Sequence, residues 1–151
     1  MERTAEGFGE WVRPHLPAMA GFATRLVGAP DRDDVVQESL ARAWRRWSTF
    51  DPARGTPRGW LLAIVADRAR RSTRRPKPHL VIEPSNVPGH DVDLERAIRA
   101  LAPRQRLAVE LHYLLDLDVL EVAEVMGCAE GTVKSTLHDA RARLRTLLEE
   151  S

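Results

Sequence analysis

The residues best suited to contact a ligand lie on one face of a helix predicted near the C-terminal end of the chain. Val133, Leu137, Ala140 and Leu144 recur at spacings of four, three and four, the period of a buried helix face. The opposite side and its flanks carry small or hydrogen-bonding side chains, which suit contact with a polar ligand such as a DNA groove. These side chains are Gly131, Thr132, Lys134, Ser135, His138 and Asp139.

This helix is the second of a helix–turn–helix that the sequence predicts over Val119–Leu144. Asp118 and Glu121 have the spacing of a capping box, in which each side chain binds a backbone N–H at the start of a helix. Gly127 is placed to end the first helix in a left-handed conformation. A helix–turn–helix puts its second helix into the major groove of DNA, although an ordinary helical hairpin shares this periodicity.

The rest of the chain holds no arrangement typical of an enzyme. It has no Gly-rich phosphate loop followed by Lys and Ser or Thr, no G-x-S-x-G and no pair of metal ligands on a helix face. The single cysteine, Cys128, excludes an intramolecular disulfide and a cysteine-based zinc site. We therefore predict a protein that is not an enzyme and that needs no metal and no cofactor.

Charge divides the chain more clearly than composition does. Residues 1–75 hold 14 Lys and Arg against 9 Asp and Glu, whereas residues 76–151 hold 9 against 13. The segment between the halves is rich in proline and has no helical period, so we predict domains at 1–75 and 93–151 with an extended linker at 76–92. No signal peptide or membrane span is indicated, and we expect a cytoplasmic protein.

Three helices are predicted in the first half. The first, Gly7–Val27, is interrupted by two prolines, and the third begins near Trp60. The second, Asp31–Trp47, is predicted to bury a stripe of Val36, Leu40, Ala43 and Trp47 and to expose Asp34, Gln37, Glu38 and Ala41. The third ends in five arginines that suit contact with phosphates, namely Arg68, Arg70, Arg71, Arg74 and Arg75.

Two further helices are predicted before the helix–turn–helix. Asp93 is expected to cap the first, which carries Leu94, Ile98 and Leu101. The second follows Pro103 and is marked by Leu107, Leu111 and Leu114. Four helices in about sixty residues can close a small core around the turn.

Several strings resemble one protein family, the extracytoplasmic-function (ECF) sigma factors of the sigma-70 superfamily. GTVKSTLHDARARLR is similar to the recognition helix of sigma region 4 and, less closely, to the matching helix of LuxR-type regulators. DRDDVVQESLARAWRRW resembles region 2.2, and FDPARG resembles the lead into regions 2.3 and 2.4. LAPRQR resembles the opening of region 4. The resemblance runs from Gly7 to Leu148 and implies an all-α fold of two helical domains.

The resemblance implies a factor that binds core RNA polymerase, recognises the −35 and −10 promoter elements and initiates transcription. The implied polymerase-binding residues, which dock on the β′ clamp helices, are Asp34, Val36, Gln37 and Glu38. The implied −10 residues are Arg54, Gly55, Thr56, Arg58, Asp67, Arg68, Arg70, Arg71 and Arg74. The implied −35 residues are Thr132, Lys134, Ser135, His138 and Asp139. The family also implies contact with the polymerase β subunit and control by an anti-sigma factor.

Four positions depart from the usual family pattern. Ala66 and Asp67 stand where the family often has Arg and Asn, and Thr136 and Asp139 stand where it usually has Arg. Because an ionised Asp only accepts hydrogen bonds, Asp67 implies either a different −10 preference or a weak contact there. Asp139 could accept a hydrogen bond from a cytosine amino group, or it could only repel phosphates. A LuxR-like regulator, an enzyme and a pure interaction module remain as alternative readings. The helical strings that resemble region 2 argue against a LuxR-like regulator. The missing catalytic residues argue against an enzyme, and the arginine cluster argues against a pure interaction module.

Overall fold

The computed structural model describes residues 4–72 and 92–150, which form helices joined by short turns. No strand occurs in these two ranges. The chain divides into two compact units, with the boundary between Pro78 and His79. The predicted linker 76–92 lies outside the described residues except for Val92, as do Arg74 and Arg75. The predicted all-α fold with two helical domains is confirmed.

The first helical stretch is broken as the prolines predict. Helix α1 (Ala5–Val12) and helix α2 (Leu16–Val27) are separated by a 3₁₀ turn, Arg13–His15. Pro14 lies in that turn and Pro17 in the first turn of α2, where the missing N–H has no helical acceptor to lose. Thr4 begins α1, because its hydroxyl accepts a hydrogen bond from the Gly7 N–H at 3.0 Å.

Helices α2, α3 (Ala29–Arg46) and α4 (Pro57–Ser72) pack together as the N-terminal bundle. Gly28 separates α2 from α3 with φ of +85°, a conformation that favours glycine. Apolar side chains from all three helices fill the core. Those that are fully buried are Met19, Phe22 and Ala23 on α2, Val35 and Ala43 on α3, and Leu61, Leu62 and Val65 on α4.

The buried face of α3 differs from the predicted one. Val35 and Ser39 are fully buried together with Ala43, whereas Val36 and Leu40 are only half-buried. Hydrophobicity alone pointed to Val36 and Leu40, which lie one position further along the helix. The small side chain of Ser39 is buried instead, at a position where α3 packs against α2 and α4. The predicted exposure of the opposite face is confirmed for Asp34, Gln37 and Glu38.

An aromatic cluster closes one end of this bundle and ties α1 to it. Phe8 and Trp11 of α1 contact Trp47, which lies in a 3₁₀ turn (Trp47–Thr49) after α3, with ring centroids 5.3 and 5.6 Å away. Trp11 also lies 5.3 Å from Phe50 and 5.8 Å from Trp60 of α4. The cluster therefore anchors both ends of the loop between α3 and α4.

The C-terminal unit contains α5 (Val92–Arg99), α6 (Pro103–Val109), α7 (Val119–Met126) and α8 (Glu130–Glu149). A π-helical segment, Glu110–Leu114, continues α6, and the Leu115 N–H bonds to the Glu110 carbonyl five residues earlier. The core of the unit is small and apolar. Its fully or nearly fully buried members include Ile98, Ala108, Val109, Leu111, Leu117, Val122, Val133, Leu137 and Ala140.

One prediction about the first half of this unit was wrong. Helix α5 begins at Val92, so Asp93 lies inside its first turn and is not the residue before it. Leu94 and Leu114, two of the apolar residues that mark these helices in the sequence, are exposed. The π-helical segment explains Leu114, because a wider turn shifts the following side chains away from the face that α6 buries. None of the helices described is long and apolar enough to cross a membrane.

Candidate functional site

The helix–turn–helix has the geometry that its sequence predicts. The Asp118 carboxylate accepts a hydrogen bond from the Glu121 N–H at 2.8 Å, and the Asp118 N–H donates to the Glu121 carboxylate at 3.2 Å. Gly127 ends α7 in the left-handed region, with φ of 66° and ψ of 39°. Both predictions are confirmed: the capping box begins α7, and Gly127 ends it before the turn to α8.

Helix α8 buries one side and exposes the other. Val133, Leu137 and Ala140 are buried in the unit, as predicted, whereas Leu144, the fourth residue of the predicted stripe, is half-buried. The predicted DNA-facing residues all lie on the exposed side, namely Thr132, Lys134, Ser135, His138 and Asp139. The Ser135 hydroxyl donates to the Thr132 carbonyl at 3.0 Å, and Thr136 is half-buried. The exposed side thus offers a cation, an imidazole, a carboxylate and hydroxyls on one rigid surface.

One contact between α8 and the π-helical segment was not indicated by the sequence. An Arg141 N–H donates to the Tyr113 hydroxyl at 2.9 Å, which joins α8 to the π-helical segment. The two residues are 28 positions apart, and neither belongs to a local motif. No signal in the sequence could have paired them.

The predicted polymerase-binding face and the basic end of α4 are in contact. Glu38 of α3 accepts a hydrogen bond from the Arg68 side chain of α4. This bond is the main cause that lowers the pKa of Glu38 and raises the pKa of Arg68. The sequence assigned Glu38 to polymerase and Arg68 to DNA as if they lay on separate surfaces. Glu38 nevertheless keeps 57% of its side chain exposed, so a partner can still reach it.

A second set of ion pairs surrounds Asp67, the residue that departs from the family pattern. Arg42 of α3 donates to the Asp67 carboxylate at 2.9 Å. On α4, Arg71 lies 3.3 Å and Arg70 3.8 Å from the same carboxylate. The sequence suggested that Asp67 could face a base as an acceptor. In the structure its oxygens are instead engaged by arginines of this chain.

The resemblance implies a loop over Arg54–Arg58 that takes up an unpaired base of the −10 element, and the loop in the structure is shorter than that. Helix α4 begins at Pro57, so Arg58 lies in its first turn and not in the loop. The Thr56 hydroxyl accepts a hydrogen bond from the Gly59 N–H at 3.0 Å and so caps that helix. Asp51 accepts a hydrogen bond from the Ala53 N–H at 2.9 Å and lies 3.7 Å from Arg54. The loop therefore has internal structure, while the Arg54 side chain is 89% exposed.

No group of His, Cys, Asp or Glu within residues 4–72 and 92–150 is arranged to hold a metal ion. These ranges offer three polar surfaces. The outer side of α3 presents acids and an amide, the loop before α4 and α4 itself present guanidinium groups beside the aromatic cluster, and the outer side of α8 presents mixed polar groups. Such surfaces bind macromolecules.

Comparison with known proteins gives the family. The family model for sigma-70 region 2 matches residues 11–77, and the model for sigma-70 region 4 matches residues 91–144. The RNA polymerase sigma-E factor of Streptomyces coelicolor is 35% identical over 150 residues, covering 91% of this chain and 84% of that protein. The ECF RNA polymerase sigma factor SigL of Mycobacterium tuberculosis is 30% identical over 151 residues, covering 90% and 85%.

Two solved structures share the fold over nearly the whole chain. The sigma factor RpoE of Bartonella quintana, solved with the anti-sigma factor NepR, has a TM-score of 0.79 and 26% identity, covering 96% of this chain and 98% of that one. CnrH, solved with the cytosolic domain of CnrY, has a TM-score of 0.74 and 27% identity, covering 98% and 91%. The LuxR-like alternative is not supported, because the N-terminal half matches region 2. The chain belongs to the ECF sigma factors of the sigma-70 family, which bind core RNA polymerase and direct it to promoters.

Proposed function

We propose that this sigma factor works through three exposed surfaces. The outer side of α3 binds core polymerase, the loop with α4 binds the −10 element, and the exposed side of α8 binds the −35 element. The observation that supports the division is that α3, α4 and α8 each bury one side in the core of a unit. Contact residues on the other side are thereby held on rigid elements. The factor acts by binding alone, in the cytoplasm with its polymerase.

The polymerase-binding surface is defined by Asp34, Gln37 and Glu38. All three are exposed on α3, whereas Val35 and Ser39 are buried. Short acidic and amide side chains on a rigid helix suit pairing with arginines of a partner. Val36 is half-buried and contributes to packing as much as to any partner surface.

A charge reversal on this surface tests the assignment. Asp34→Arg combined with Gln37→Ala should abolish co-purification with core polymerase while the helical content of the protein stays the same. Asp33→Arg is the matched control, because Asp33 lies on the same turn and is 82% exposed. Equal loss in both variants, or no loss in the double variant, would refute the proposed surface.

Loss of a phosphate contact and loss of a base contact should have different effects on promoter binding. We propose that Lys134 and Arg54 meet phosphates, so their replacement by Gln should weaken binding to every promoter sequence alike and lower its salt dependence. Ser135 and His138 lie at the centre of the exposed side of α8 and are proposed to meet base edges. Their replacement by Ala should change the preference at single base pairs of the −35 element, as a selection from randomised duplexes would measure. A uniform loss in these two variants would speak against base contact.

We also propose that an anti-sigma factor binds this chain. The support is that both similar solved structures, RpoE and CnrH, are complexes, and the RpoE partner is an anti-sigma factor. The expected partner competes with core polymerase for the chain and stops promoter-dependent transcription when added before polymerase. A co-purifying protein that leaves transcription unchanged would not be that partner.

A further inference from the structure

A basic cleft lies between α3 and α4 on the N-terminal unit. Its volume is about 330 Å³, within the lower range of small-ligand sites, roughly 300–1,000 Å³. Its walls include Arg42 and Arg46 of α3 together with Trp60, Asp67 and Arg71 of α4. Three guanidinium groups against one carboxylate leave an excess of positive charge, so the cleft suits an anion.

The arginines of the cleft are held in different ways. Arg42 is the most buried of them, with 27% of its side chain exposed, and it donates one N–H to Asp67 at 2.9 Å. Arg71 lies 3.3 Å from the same carboxylate oxygen and is 58% exposed. Arg46 has no ion pair within the ranges that the structure describes. Because a guanidinium has five N–H donors, the bond to Asp67 leaves most of those of Arg42 for a ligand.

We propose that Asp67 is a positioning residue for promoter DNA. It holds Arg42 and Arg71 in a fixed arrangement, so that their guanidinium groups clamp a backbone phosphate of a single DNA strand in this cleft. Trp60 gives the cleft an aromatic wall against which the strand can lie. A planar guanidinium that is already oriented binds phosphate with two parallel hydrogen bonds and loses little freedom in doing so. The proposal rests on the proposed −10 surface and names the residue that orders it.

Simple charge counting gives the opposite expectation for Asp67. If its carboxylate only neutralised the arginines, the factor would bind DNA more tightly without it. If the carboxylate orders the arginines, the factor would bind more weakly without it, even though the protein gains positive charge. The sign of the change therefore separates the two roles.

The experiment uses the complete factor bound to core polymerase and a promoter fragment whose −10 region is held unpaired. With Asp67→Asn, we expect affinity to fall about fivefold, the effect of one partly exposed ion pair. The salt slope should fall by about 0.7 for each lost contact with a single-strand phosphate. Asp33→Asn makes the same change of charge and size on α3 away from the cleft, and should leave both quantities unchanged. Unchanged or tighter binding by Asp67→Asn would overturn the proposal.

Two further measurements keep the result interpretable. Arg42→Lys keeps the charge but loses the planar fork, so it should weaken binding to the unpaired fragment as Asp67→Asn does. If Asp67→Asn loses helical content or no longer co-purifies with polymerase, Arg42→Lys becomes the deciding variant. Unchanged affinity of Arg42→Lys for the unpaired fragment also counts against the proposal. An equal loss on fully paired DNA would overturn the assignment to a single strand. If the unaltered complex does not bind the unpaired fragment at all, the proposed −10 function itself fails.

Discussion

Replacing Ser39 with alanine should stabilise the N-terminal unit. Ser39 is fully buried in α3, and its hydroxyl is the one buried side-chain polar atom of the described residues that has no hydrogen-bond partner. An unsatisfied buried donor or acceptor costs about 1–3 kcal/mol. Alanine also has the highest helix propensity and leaves only a small void, so we expect a net gain in unfolding free energy of about 1–2 kcal/mol.

The tryptophans allow this gain to be measured in the complete chain. All four of them, Trp11, Trp44, Trp47 and Trp60, lie in the N-terminal unit, so their fluorescence follows the unfolding of that unit alone. In urea, a unit of this size should have a slope near ~1 kcal/mol/M, which places the expected shift of the midpoint at about 1–2 M. Ser48→Ala is the matched control, because Ser48 is exposed and its replacement should change stability by less than about 0.5 kcal/mol.

The outcome of this substitution can contradict the reasoning in either of two ways. A lower midpoint for Ser39→Ala would mean that the hydroxyl has a partner in solution, such as a buried water. Ser39→Val removes the same hydroxyl but adds volume to a site with no room, and it should destabilise the unit by roughly 1–3 kcal/mol. Stabilisation by valine would mean that the core at this point is looser than the structure shows. Because Ser39 is buried whereas Gln37 and Glu38 are exposed, polymerase binding should be unchanged by Ser39→Ala.

Three further changes test the C-terminal unit and the ion pair between α3 and α4. Asp118→Ala removes the capping box and should lower the stability of the C-terminal unit by about 1 kcal/mol, measured by hydrogen exchange of the α7 amides. Arg68→Gln should raise the depressed pKa of Glu38 towards its usual range, as an NMR titration would show. Since that pKa is depressed on folding, the pair stabilises the fold at neutral pH and is lost as the pH falls through the folded-state pKa. Asp139→Arg should tighten binding to random duplex DNA and steepen its salt slope by roughly one unit; unchanged affinity would mean that position 139 does not face DNA.

The helix–turn–helix could be predicted from sequence because its determinants are local. The capping bonds between Asp118 and Glu121 span three residues, and the left-handed turn depends on Gly127 alone. The buried stripe of α8 contains only apolar residues, so its period is clear. Each of these features is decided within one or two turns of helix, where residue type and spacing are sufficient.

The buried face of α3 could not be predicted in the same way, because it depends on the neighbouring helices. Val35 and Val36 are adjacent and equally hydrophobic, and either could belong to the core stripe. In the bundle Val35 is buried, and so is Ser39 one turn later. A polar residue therefore occupies a buried position that hydrophobic periodicity assigns to the surface. The π-helical segment after α6 likewise changes the period within a helix, and Leu114 is exposed there although it is apolar.

The ion pairs across α3 and α4 show what kind of information a sequence lacks. Glu38 and Arg42 lie one turn apart on α3, while Asp67 and Arg68 are adjacent on α4, with the charges in opposite order. The complementarity is visible only once the two helices are aligned, because the pairs join residues 25 and 30 positions apart. Glu38, which the resemblance assigns to polymerase, and Arg68, which it assigns to DNA, therefore contact each other.

These pairs also bear on how a protein with a net charge of only +1 can bind DNA. In the N-terminal unit Glu38 and Asp67 lie beside arginines of neighbouring turns and helices, so they restrict these guanidinium groups while using few of their donors. In the C-terminal half the acids outnumber the bases, and Asp139 and Glu130 lie exposed on α8. Phosphate affinity should therefore depend more on ordered arginines in the first unit than on total charge. We expect the second unit to contribute mainly selection among sequences, which side chains such as Ser135 and His138 could supply without a large positive field.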